Sequence, residues 1–566
     1  MGTIDSKKYK RLINNPKELA RQIQIDFDML DEVDPFFIAK SLGIKIMPMP
    51  LSKNLFSYAT RKDDETFIFI NGYNQIQRQR YNTALQTYLL IAGRPDFAYY
   101  KDHEKTPLIN NAKTFAANLL LPKDKLKEEV EAHSIDGSIS YDDILYIAEK
   151  FGVSFKTTAF RIFYEYNNIL DIQSKDDLST RIGEHVTFRD ERKKKLPEYQ
   201  RSDLRFIKQL LNSMFFVRTN NDLGFIKTIQ DAIYGEIKFE ERIHLNPDEI
   251  AELLAEYRLE GSIATGHEAV DPQLAQLVNG QLLAYDFIRT KQIVVPKDLP
   301  KLLHSLLFSQ VDGSYNYGEY RDRDVYVQGL FKACKASRLD SKMQEIYGLI
   351  GNMYETITAH KNGEVTKSDA LDQAITTMVT HYMTQPFQDG NGRTSKAMLN
   401  YFLTLLNIPG SFVVADDIME EYRTAIAEVG NDQRTREDQL AGDYEIRVLD
   451  RKSDRIGKYD INIFGIPMVK FEDEEVVYDD ELHKMEFFMP VPGEEREFVW
   501  EDLKEIDYTP MQIVIYKSIF SSYLDDKMKP KLKPTKLTRP ESSKFRASSE
   551  RTLKKINEIY TTKPKK

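Results

Sequence analysis

The sequence predicts a multidomain, mainly α-helical protein with an α+β N-terminal domain, an all-α central domain and a small, partly β C-terminal module. Three observations predict this class. The chain has 566 residues, which is too many for one hydrophobic core. Apolar residues recur at spacings of three and four between about 205 and 430, as they do in helices. Short runs rich in Val, Ile, Phe and Tyr near both ends predict strands.

Changes in composition along the chain predict the domain boundaries. The first segment combines helical patterning with the strand FIFIN at 67–71. A polar stretch with a basic cluster follows it, and β-like runs separated by acidic clusters begin after 440. The predicted parts are an N-terminal domain at 20–170, a linker at 171–205, a central domain at 206–435, a small module at 440–525 and a tail at 527–566.

Bulk composition excludes several classes of protein. Hydrophobic residues make up 41% and charged residues 30% of the chain, which is ordinary for globular proteins. No apolar run approaches the roughly 20 residues of a membrane span, and the N-terminus lacks the apolar core of a signal peptide. The single cysteine, Cys334, excludes an internal disulfide and a cysteine-rich zinc site. We therefore expect a cytoplasmic protein without membrane contact.

The C-terminal tail differs electrostatically from the rest of the chain. From Lys527 onward, 14 basic and 3 acidic residues give a net charge of +11, which leaves −20 for the remainder of a chain with a total of −9. The tail mixes Pro, Lys, Ser and Thr, a composition that buries little apolar surface. It is predicted to be disordered, and either to be simply solvated or to contact nucleic acid or an acidic surface weakly.

A glycine-bracketed turn lies in the central domain, where residues 384–396 read TQPFQDGNGRTSK. The preceding helix, predicted for 369–384, must end near Pro386 because helical angles are disfavoured for a residue before proline. Gly390 and Gly392 permit positive φ and leave room for a ligand. The following TSKAMLNYFLTLL has helical apolar spacing, so the turn is predicted to open a second helix.

The start of this second helix is a candidate anion site. A helix N-terminus presents unpaired amides and partial positive charge, and the glycines let the amides near Asn391 face one point. Arg393 adds a planar set of donors, and Asp389 is placed to hold a divalent metal shared with phosphate oxygens. A helix cap with a surface arginine is the simpler interpretation of a Gly-x-Gly pair taken alone.

The residues around the turn resemble the signature of the Fic (Fido) family of AMP transferases, His-Pro-Phe-x-Asp/Glu-Gly-Asn-Gly-Arg-x-x-Arg. Gln385 stands in place of the histidine and Lys396 in place of the second arginine. The matching residues are Pro386, Phe387, Asp389, Gly390, Asn391, Gly392 and Arg393. Upstream, GEYRDRDVYVQG at 318–329 resembles the Gly-x-Tyr/Phe-Arg segment that precedes the substrate-aligning flap of the family.

The resemblance implies a nucleotide-binding protein that transfers AMP from ATP, with Mg²⁺, to a hydroxyl group of a protein target. It implies that residues 389–393 and Lys396 hold the phosphates. YRLEGSIATG at 257–266 resembles the inhibitory helix of the family, in which a glutamate pairs with a motif arginine and blocks productive nucleotide binding. Glu260 would be that glutamate, although Glu256 stands where Ser or Thr is expected.

Gln385 removes the general base that this chemistry uses. A glutamine amide orients neighbours through hydrogen bonds but cannot accept a proton near neutral pH. Loss of a positioned base typically costs roughly 10²- to 10⁴-fold in rate. His381 lies one helical turn earlier, and a packed or surface role is favoured for it over a replacement of the base. Ordinary AMPylation should therefore be impaired.

Three functions stay open at this point. The first is a nucleotide-binding pseudoenzyme with a regulatory role in stress, toxin or phage conflict. The second is an active nucleotidyl transferase with an anionic or otherwise unusual acceptor, since an acceptor that is already anionic needs no base. The third is a non-catalytic scaffold or sensor. The protein target stays unknown in each of them.

The N-terminal segment resembles metallopeptidase domains of the ImmA/IrrE type. The resemblance rests on PFFIAKSLGIKI, FIFIN, RQRYNTALQTYLLIAG, NNAKTFAANLLLPKDKL and IAEKFGVSFKTTAFRIF, in that order. The family has His-Glu-x-x-His on a helix, because zinc needs two histidines one turn apart with a glutamate as base. Here Leu85, Gln86 and Leu89 occupy those positions and Asn111 replaces the acidic third ligand. The domain is therefore predicted to hold no zinc.

Overall fold

The structure is a computed structural model, and it falls into two compact units. The first comprises Met1–Asn220 with Tyr523–Pro530, and the second comprises Asn221–Ser522 with Lys531–Lys566. The residues that the structure describes are 7–62, 65–93, 97–100, 106–166, 174–184, 197–215, 272–309, 317–327, 331–408, 411–414, 418–440, 447–450, 453, 455–461, 467–471, 473, 475–478, 486–488 and 505–528.

The first unit contains ten helices and four strands among its described residues before 216. Several helices start with a polar N-cap residue. The side chain of each of these residues accepts a hydrogen bond from an amide in the first turn; they are Asn15, Asp34, Thr106, Ser140 and Ser154. The elements are α1 (Lys7–Lys10), α2 (Pro16–Asp26), α3 (Pro35–Ser41), β1 (Ile44–Met49), β2 (Ser57–Lys62), β3 (Glu65–Asn71), α4 (Ile76–Ile91), β4 (Phe97–Tyr100), α5 (Pro107–Leu120), α6 (Lys123–His133), α7 (Tyr141–Phe151), α8 (Phe155–Glu165), α9 (Lys175–Glu184) and α10 (Pro197–Ser213).

The four strands form one mixed sheet in the order β1-β3-β2-β4. β1 runs parallel to β3, and the other two pairs are antiparallel. The predicted strand at 67–71 is confirmed as part of β3. α4 packs between this sheet and α5, and it is buried along nearly its whole length. A helix surrounded in this way forms the centre of the core of the unit.

Arg80 of α4 is fully buried and joins α4 to three other segments. Its guanidinium donates to the backbone carbonyls of Val33, Phe151 and Gly152 and to the side chain of Gln209. The ring of Phe206 lies 4.0 Å from the guanidinium carbon. Burial lowers the pKa of Arg80 to about 10, so the side chain is still protonated at neutral pH. Carbonyl dipoles and an aromatic face stabilise the charge, together with the nearby carboxylates of Asp34 and Glu32.

Part of the range predicted to be a linker is helical. Within 171–205, the structure describes α9 and the first half of α10. α10 packs on α3 and α4, and beyond it Met214 pairs with Ile46 of β1 as an isolated bridge. The amide of Phe215 donates to the carbonyl of Ile46 at 2.8 Å. The end of the predicted linker is therefore an integral part of the first unit.

The second unit is built on helices that pack around α15. Between α12 and α13, a hairpin of two short antiparallel strands, β5 and β6, interrupts the helical pattern. α15 contacts α11, α12 and α14 and is buried on nearly all sides. The elements are α11 (Pro272–Arg289), α12 (Leu299–Phe308), β5 (Tyr326–Val327), β6 (Phe331–Lys332), the 3-10 turn Ala336–Arg338, α13 (Leu339–Asn362), α14 (Lys367–Thr384), α15 (Asn391–Leu405) and α16 (Met419–Leu440).

A five-stranded antiparallel sheet follows α16, in the order β10-β9-β8-β7-β11. Its strands account for the partly β character that the sequence predicts after 440. They are β7 (Arg447–Asp450), β8 (Arg455–Ile461), β9 (Pro467–Phe471), β10 (Val476–Tyr478) and β11 (Glu486–Phe488). Val469 and Phe471 of β9 are buried, so one side of the sheet has a small core of its own.

The last described helix, α17 (Thr509–Met528), lies mostly within the range predicted for the small module but packs on the helices of the central domain. The hydroxyl of Tyr516 donates to the carbonyl of Ser368 and to the carboxylate of Asp372 in α14. Ser518 bonds both the N–H and the carbonyl of Val413. Along the chain, the strands of the β sheet therefore come between α16 and α17, which belong to the same helical core.

The predicted fold class is confirmed. The described residues are mainly helical, with an α+β N-terminal unit and a helical central domain that carries one short hairpin. No helix among the described residues is both long and apolar enough to cross a membrane.

We expect Arg80→Leu to destabilise the first unit by about 3 kcal/mol, because three buried carbonyls lose their donor. The measurement is hydrogen exchange of α4 peptides in increasing urea, which gives the free energy of opening. Arg78→Leu is the matched control. This neighbouring arginine is exposed and lies over the ring of Phe56, so its loss should cost at most about 1 kcal/mol. Equal losses of stability in the two variants would contradict the stabilising role of the buried Arg80 guanidinium.

Candidate functional site

The glycine-bracketed turn joins α14 to α15 as the sequence predicts. α14 ends at Thr384, and Gln385 follows in the left-handed conformation with φ of 49°. α15 begins at Asn391, one residue after Gly390, whose φ is 74°. A Cβ on Gly390 would also overlap the ring of Phe308. Both the backbone angle and the close ring therefore require glycine at position 390.

The side chain of Asn391 closes the turn. Its Nδ2 donates to the carbonyl of Phe387, and its Oδ1 accepts from the amide of Phe387, both at 2.8 Å. Phe387 itself is fully buried. An aspartate in this position could accept but not donate, so only an amide side chain satisfies both backbone groups.

The predicted phosphate-binding residues lie together at the start of α15. Arg393 and Lys396 are both buried, and the Arg393 guanidinium lies 4.8 Å from the centroid of the Phe308 ring. Asp389 is exposed at the edge of the turn, and its Oδ1 accepts the amide of Gly390 at 2.6 Å. The N-cap residue of α15 is Gly390, which has no side chain to accept a first-turn amide. Two cationic side chains thus lie within the first six residues of α15, and Gly392 in its first turn is partly exposed.

Gln385 uses its amide to complete the end of α14. Its Nε2 donates to the carbonyl of Tyr382 at 2.6 Å, and its backbone N–H is directed at the carbonyls of His381 and Tyr382. The residue is only 7% exposed. The side chain therefore acts as a helix cap and has no group that accepts a proton at neutral pH.

His381 is fully buried beside the turn. Its Nδ1 lies 2.7 Å from Oγ of Ser395, whose hydroxyl donates to the carbonyl of Asn391. Burial and the nearby His304 lower the pKa of His381 to about 3. A packed role is therefore favoured for His381, since a base of such low pKa is a poor acceptor for a hydroxyl proton.

His304 of α12 is a site residue that sequence reasoning did not single out. Its Nδ1 accepts the amide of Gly318 at 2.9 Å, so its Nε2 carries the proton and donates to the carbonyl of Asp389 at 3.1 Å. Its ring stacks on Phe387 with centroids 3.9 Å apart. Burial lowers the pKa of His304 to about 4. The only signal for His304 in the sequence was the position of a histidine among the leucines of LPKLLHSLLF.

The segment that resembles the Gly-x-Tyr/Phe-Arg element leads into the hairpin β5–β6. Gly318 has φ of 79°, and its amide is the one bound by His304. Tyr320 lies against Phe387, with ring centroids 5.2 Å apart. The hairpin occupies the position in the chain at which the resemblance places the flap.

The metal-binding positions of the N-terminal resemblance are part of the packed core. Leu85, Gln86 and Leu89 are fully buried, and Nε2 of Gln86 donates to Oγ of Ser57 at 3.0 Å. Asn111 forms a side-chain hydrogen bond with Tyr88. Leucine has no lone pair to offer a metal, so the donor set does not fit zinc.

Two other predicted features lie outside the described residues. These are Glu260, the candidate inhibitory glutamate, and all of the basic tail beyond 528. Among the described residues, no group of three or more His, Cys, Asp or Glu side chains is arranged to hold a metal ion by itself. Asp389 would therefore need phosphate oxygens or water as the other ligands of Mg²⁺, which is how this ion is commonly bound.

The two buried histidines should make the second unit sensitive to acid. Both pKa values are lowered in the folded state, so stability is complete above about pH 6.5 and is lost as the pH falls toward the folded values. At pH 5 the cost is about 2 kcal/mol for each histidine. We expect His381→Asn to remove about that much of the loss between pH 7.5 and pH 5, measured by urea-dependent exchange of α14 and α15.

His133→Asn is the control for this measurement. His133 is partly exposed, lies in the first unit and pairs with Glu129 and Asp143. The change should leave the pH dependence of α14 and α15 unaltered. An equal pH dependence in wild type and His381→Asn would show that His381 does not contribute.

Two segments of the chain match protein families. Residues 39–163 match the IrrE N-terminal-like domain, and residues 295–403 match the Fic/DOC family. A search of curated proteins found no match.

Among solved structures, a Fic domain containing signaling protein from Bacteroides thetaiotaomicron is similar, with 13% identity and a TM-score of 0.30 over 41% of this chain and 83% of that one. A fragment of Fic-1 from C. elegans is similar, with 15% identity and a TM-score of 0.30 over 55% of this chain and 79% of that one. The family matches coincide with the two sites described above. The chain therefore contains an IrrE N-terminal-like domain and a Fic/DOC family domain.

Proposed function

We propose that the protein is a Fic-like nucleotide-binding pseudoenzyme in which AMP transfer is impaired. One observation carries this proposal. The amide of Gln385 is bonded to the end of α14, while Arg393 and Lys396 lie at the start of α15. The site thus retains groups that attract phosphate and lacks a group that accepts a proton.

The charge at the start of α15 supports an anionic ligand. A helix N-terminus carries about half a positive charge, and its first-turn amides point outward along the axis. Arg393 offers a planar set of donors that suits phosphate oxygens. ATP with Mg²⁺ is the ligand that the Fic/DOC match favours, with Asp389 at the edge of the turn to contact the metal.

The absence of a base supports impaired transfer. In the reaction of the family, a hydroxyl group loses its proton as it attacks the phosphate, and the proton needs an acceptor. Gln385 cannot be that acceptor, and His381 is buried with a pKa of about 3. An acceptor that is already anionic would avoid this requirement, and so an active transferase is an outcome that the experiments below must distinguish.

The combination of two enzyme-like domains without their usual catalytic side chains supports a regulatory role. In the N-terminal domain, leucines occupy two metal-ligand positions, and in the Fic domain glutamine occupies the position of the base. Both domains keep a packed core. We propose that the protein senses nucleotide during stress, toxin action or phage infection, with the N-terminal domain as a docking element.

ATP with Mg²⁺ should raise the melting temperature of the full chain by roughly 2–4 °C at about 100 times the Kd, since binding then contributes about 2.7 kcal/mol. Arg393→Ala should abolish most of the shift because it removes donors to phosphate. Arg289→Ala is the matched control, since Arg289 is more than half exposed and pairs with Asp286 on α11. A scaffold without a nucleotide site would show no shift in any variant.

Gln385→His should switch on labelling of the protein by radiolabelled ATP, because an imidazole can accept a proton near neutral pH. Gln388→His is the control, since it makes the same change at an exposed position of the same turn and should stay unlabelled. Labelling by the wild type would identify an active transferase. If the Gln385→His protein still binds ATP but is not labelled, the rest of the catalytic site is not intact, and this proposal is contradicted.

A further inference from the structure

Arg321 lies beside the turn and contacts it through both backbone and side chain. Its backbone N–H donates to the carbonyl of Pro386 at 2.9 Å. Its Nε donates to the carbonyl of Gln385 at 2.6 Å, and its Nη2 reaches the carbonyl of Thr384 at 3.3 Å. Three consecutive carbonyls at the end of α14 therefore share Arg321 as a donor.

The same guanidinium contacts the chain on both sides of the hairpin. Its Nη1 donates to the carbonyl of Arg323, three residues before β5. Its Nη2 donates to the carbonyl of Cys334, two residues after β6, at 2.5 Å. One side chain thus connects the entry to the hairpin, the exit from it and the turn of the phosphate site.

Arginine suits this position for a physical reason. The side chain is fully buried, and the carboxylate of Asp324 lies no closer than 4.0 Å. The charge is instead stabilised by backbone carbonyls, including those at the negative end of α14. The planar guanidinium reaches four carbonyls in different directions, which a lysine ammonium on a flexible stem cannot reproduce.

A second connection joins the same two segments. His304 binds the amide of Gly318 through Nδ1 and the carbonyl of Asp389 through Nε2. Arg321 thus attaches the segment 318–321 to the start of the turn, at Gln385. His304 connects Gly318 of the same segment to the end of the turn, at Asp389. The hairpin and the phosphate site are parts of one hydrogen-bonded assembly.

We propose that Arg321 is a positioning residue that holds the hairpin β5–β6 and the turn at 385–390 in one fixed arrangement, and that this arrangement sets the affinity of the phosphate site. The second half of this proposal rests on the proposed nucleotide binding. Arg321 does not reach the ligand itself in this proposal, because its donors are used by carbonyls. It acts through the backbone that carries Asp389 and Gly390.

The test compares Arg321→Gln, Arg321→Lys and Arg323→Gln with wild type in the full chain. Hydrogen exchange without nucleotide is measured for peptides from 318–327 and 384–392, with α13 as an internal reference. The Kd for ATP with Mg²⁺ is measured on the same samples. Arg323→Gln is the matched control, because that side chain is exposed and only its carbonyl is used by Arg321.

Arg321→Gln should speed exchange about tenfold or more in both peptides, leave α13 unchanged, and weaken ATP binding about tenfold, because several charged hydrogen bonds are lost. Arg321→Lys should fall between wild type and Arg321→Gln in both measurements. Arg323→Gln should match wild type within about twofold.

Several results would overturn the proposal. These are unchanged exchange in Arg321→Gln, faster exchange without weaker binding, or exchange that rises equally in α13 and therefore reports general unfolding. If Arg321→Gln does not fold, the same criteria apply to Arg321→Lys. If wild type binds no ATP, the proposed function fails, and the exchange pattern alone decides whether Arg321 positions the hairpin and the turn.

Discussion

The two hydrogen bonds between the side chain of Asn391 and the backbone of Phe387 are the interaction on which the site depends. They fix a short turn in which Gln385 and Gly390 both adopt positive φ. The turn brings the carbonyl end of α14 close to the amide end of α15. Opposite partial charges thus meet in a small volume, and each needs a different partner.

Side chains of the protein bind the carbonyl end, whereas the N-cap residue at the amide end is Gly390, which has no side chain. Arg321 and the amide of Gln385 bind the carbonyls at the end of α14. At the start of α15, Arg393 and Lys396 add positive charge. Gln385 has no group that accepts a proton at neutral pH, and its amide completes the end of α14. In the proposed function, phosphate binding depends on the start of α15, whereas the missing proton acceptor lies at the end of α14.

Much of the fold was predictable from the sequence, because helical spacing, Pro386 and the two glycines report on local backbone geometry. The helices on either side of the turn and the strand at 67–71 are local features of this kind. The role of His304 was not predictable, since it depends on Gly318 and Asp389, which are distant in sequence. For the same reason, composition suggested a linker where α10 packs on α4, and a separate module where α17 joins the helical core. Arg80 shows the limit most clearly, because a charged residue in a buried helix depends on the carbonyls of Val33, Phe151 and Gly152, which belong to two other segments of the chain.

The position of α17 has a consequence for biosynthesis. The buried hydroxyl of Tyr516 bonds α14, yet more than 100 residues separate α17 from the end of α14, and the β sheet lies between them. At about 5–20 residues per second, the ribosome needs on the order of 10 s to make this stretch. During that interval the nascent helices have an apolar surface without its native cover. Delayed completion of the core would make the emerging chain a client for chaperones until α17 leaves the exit tunnel.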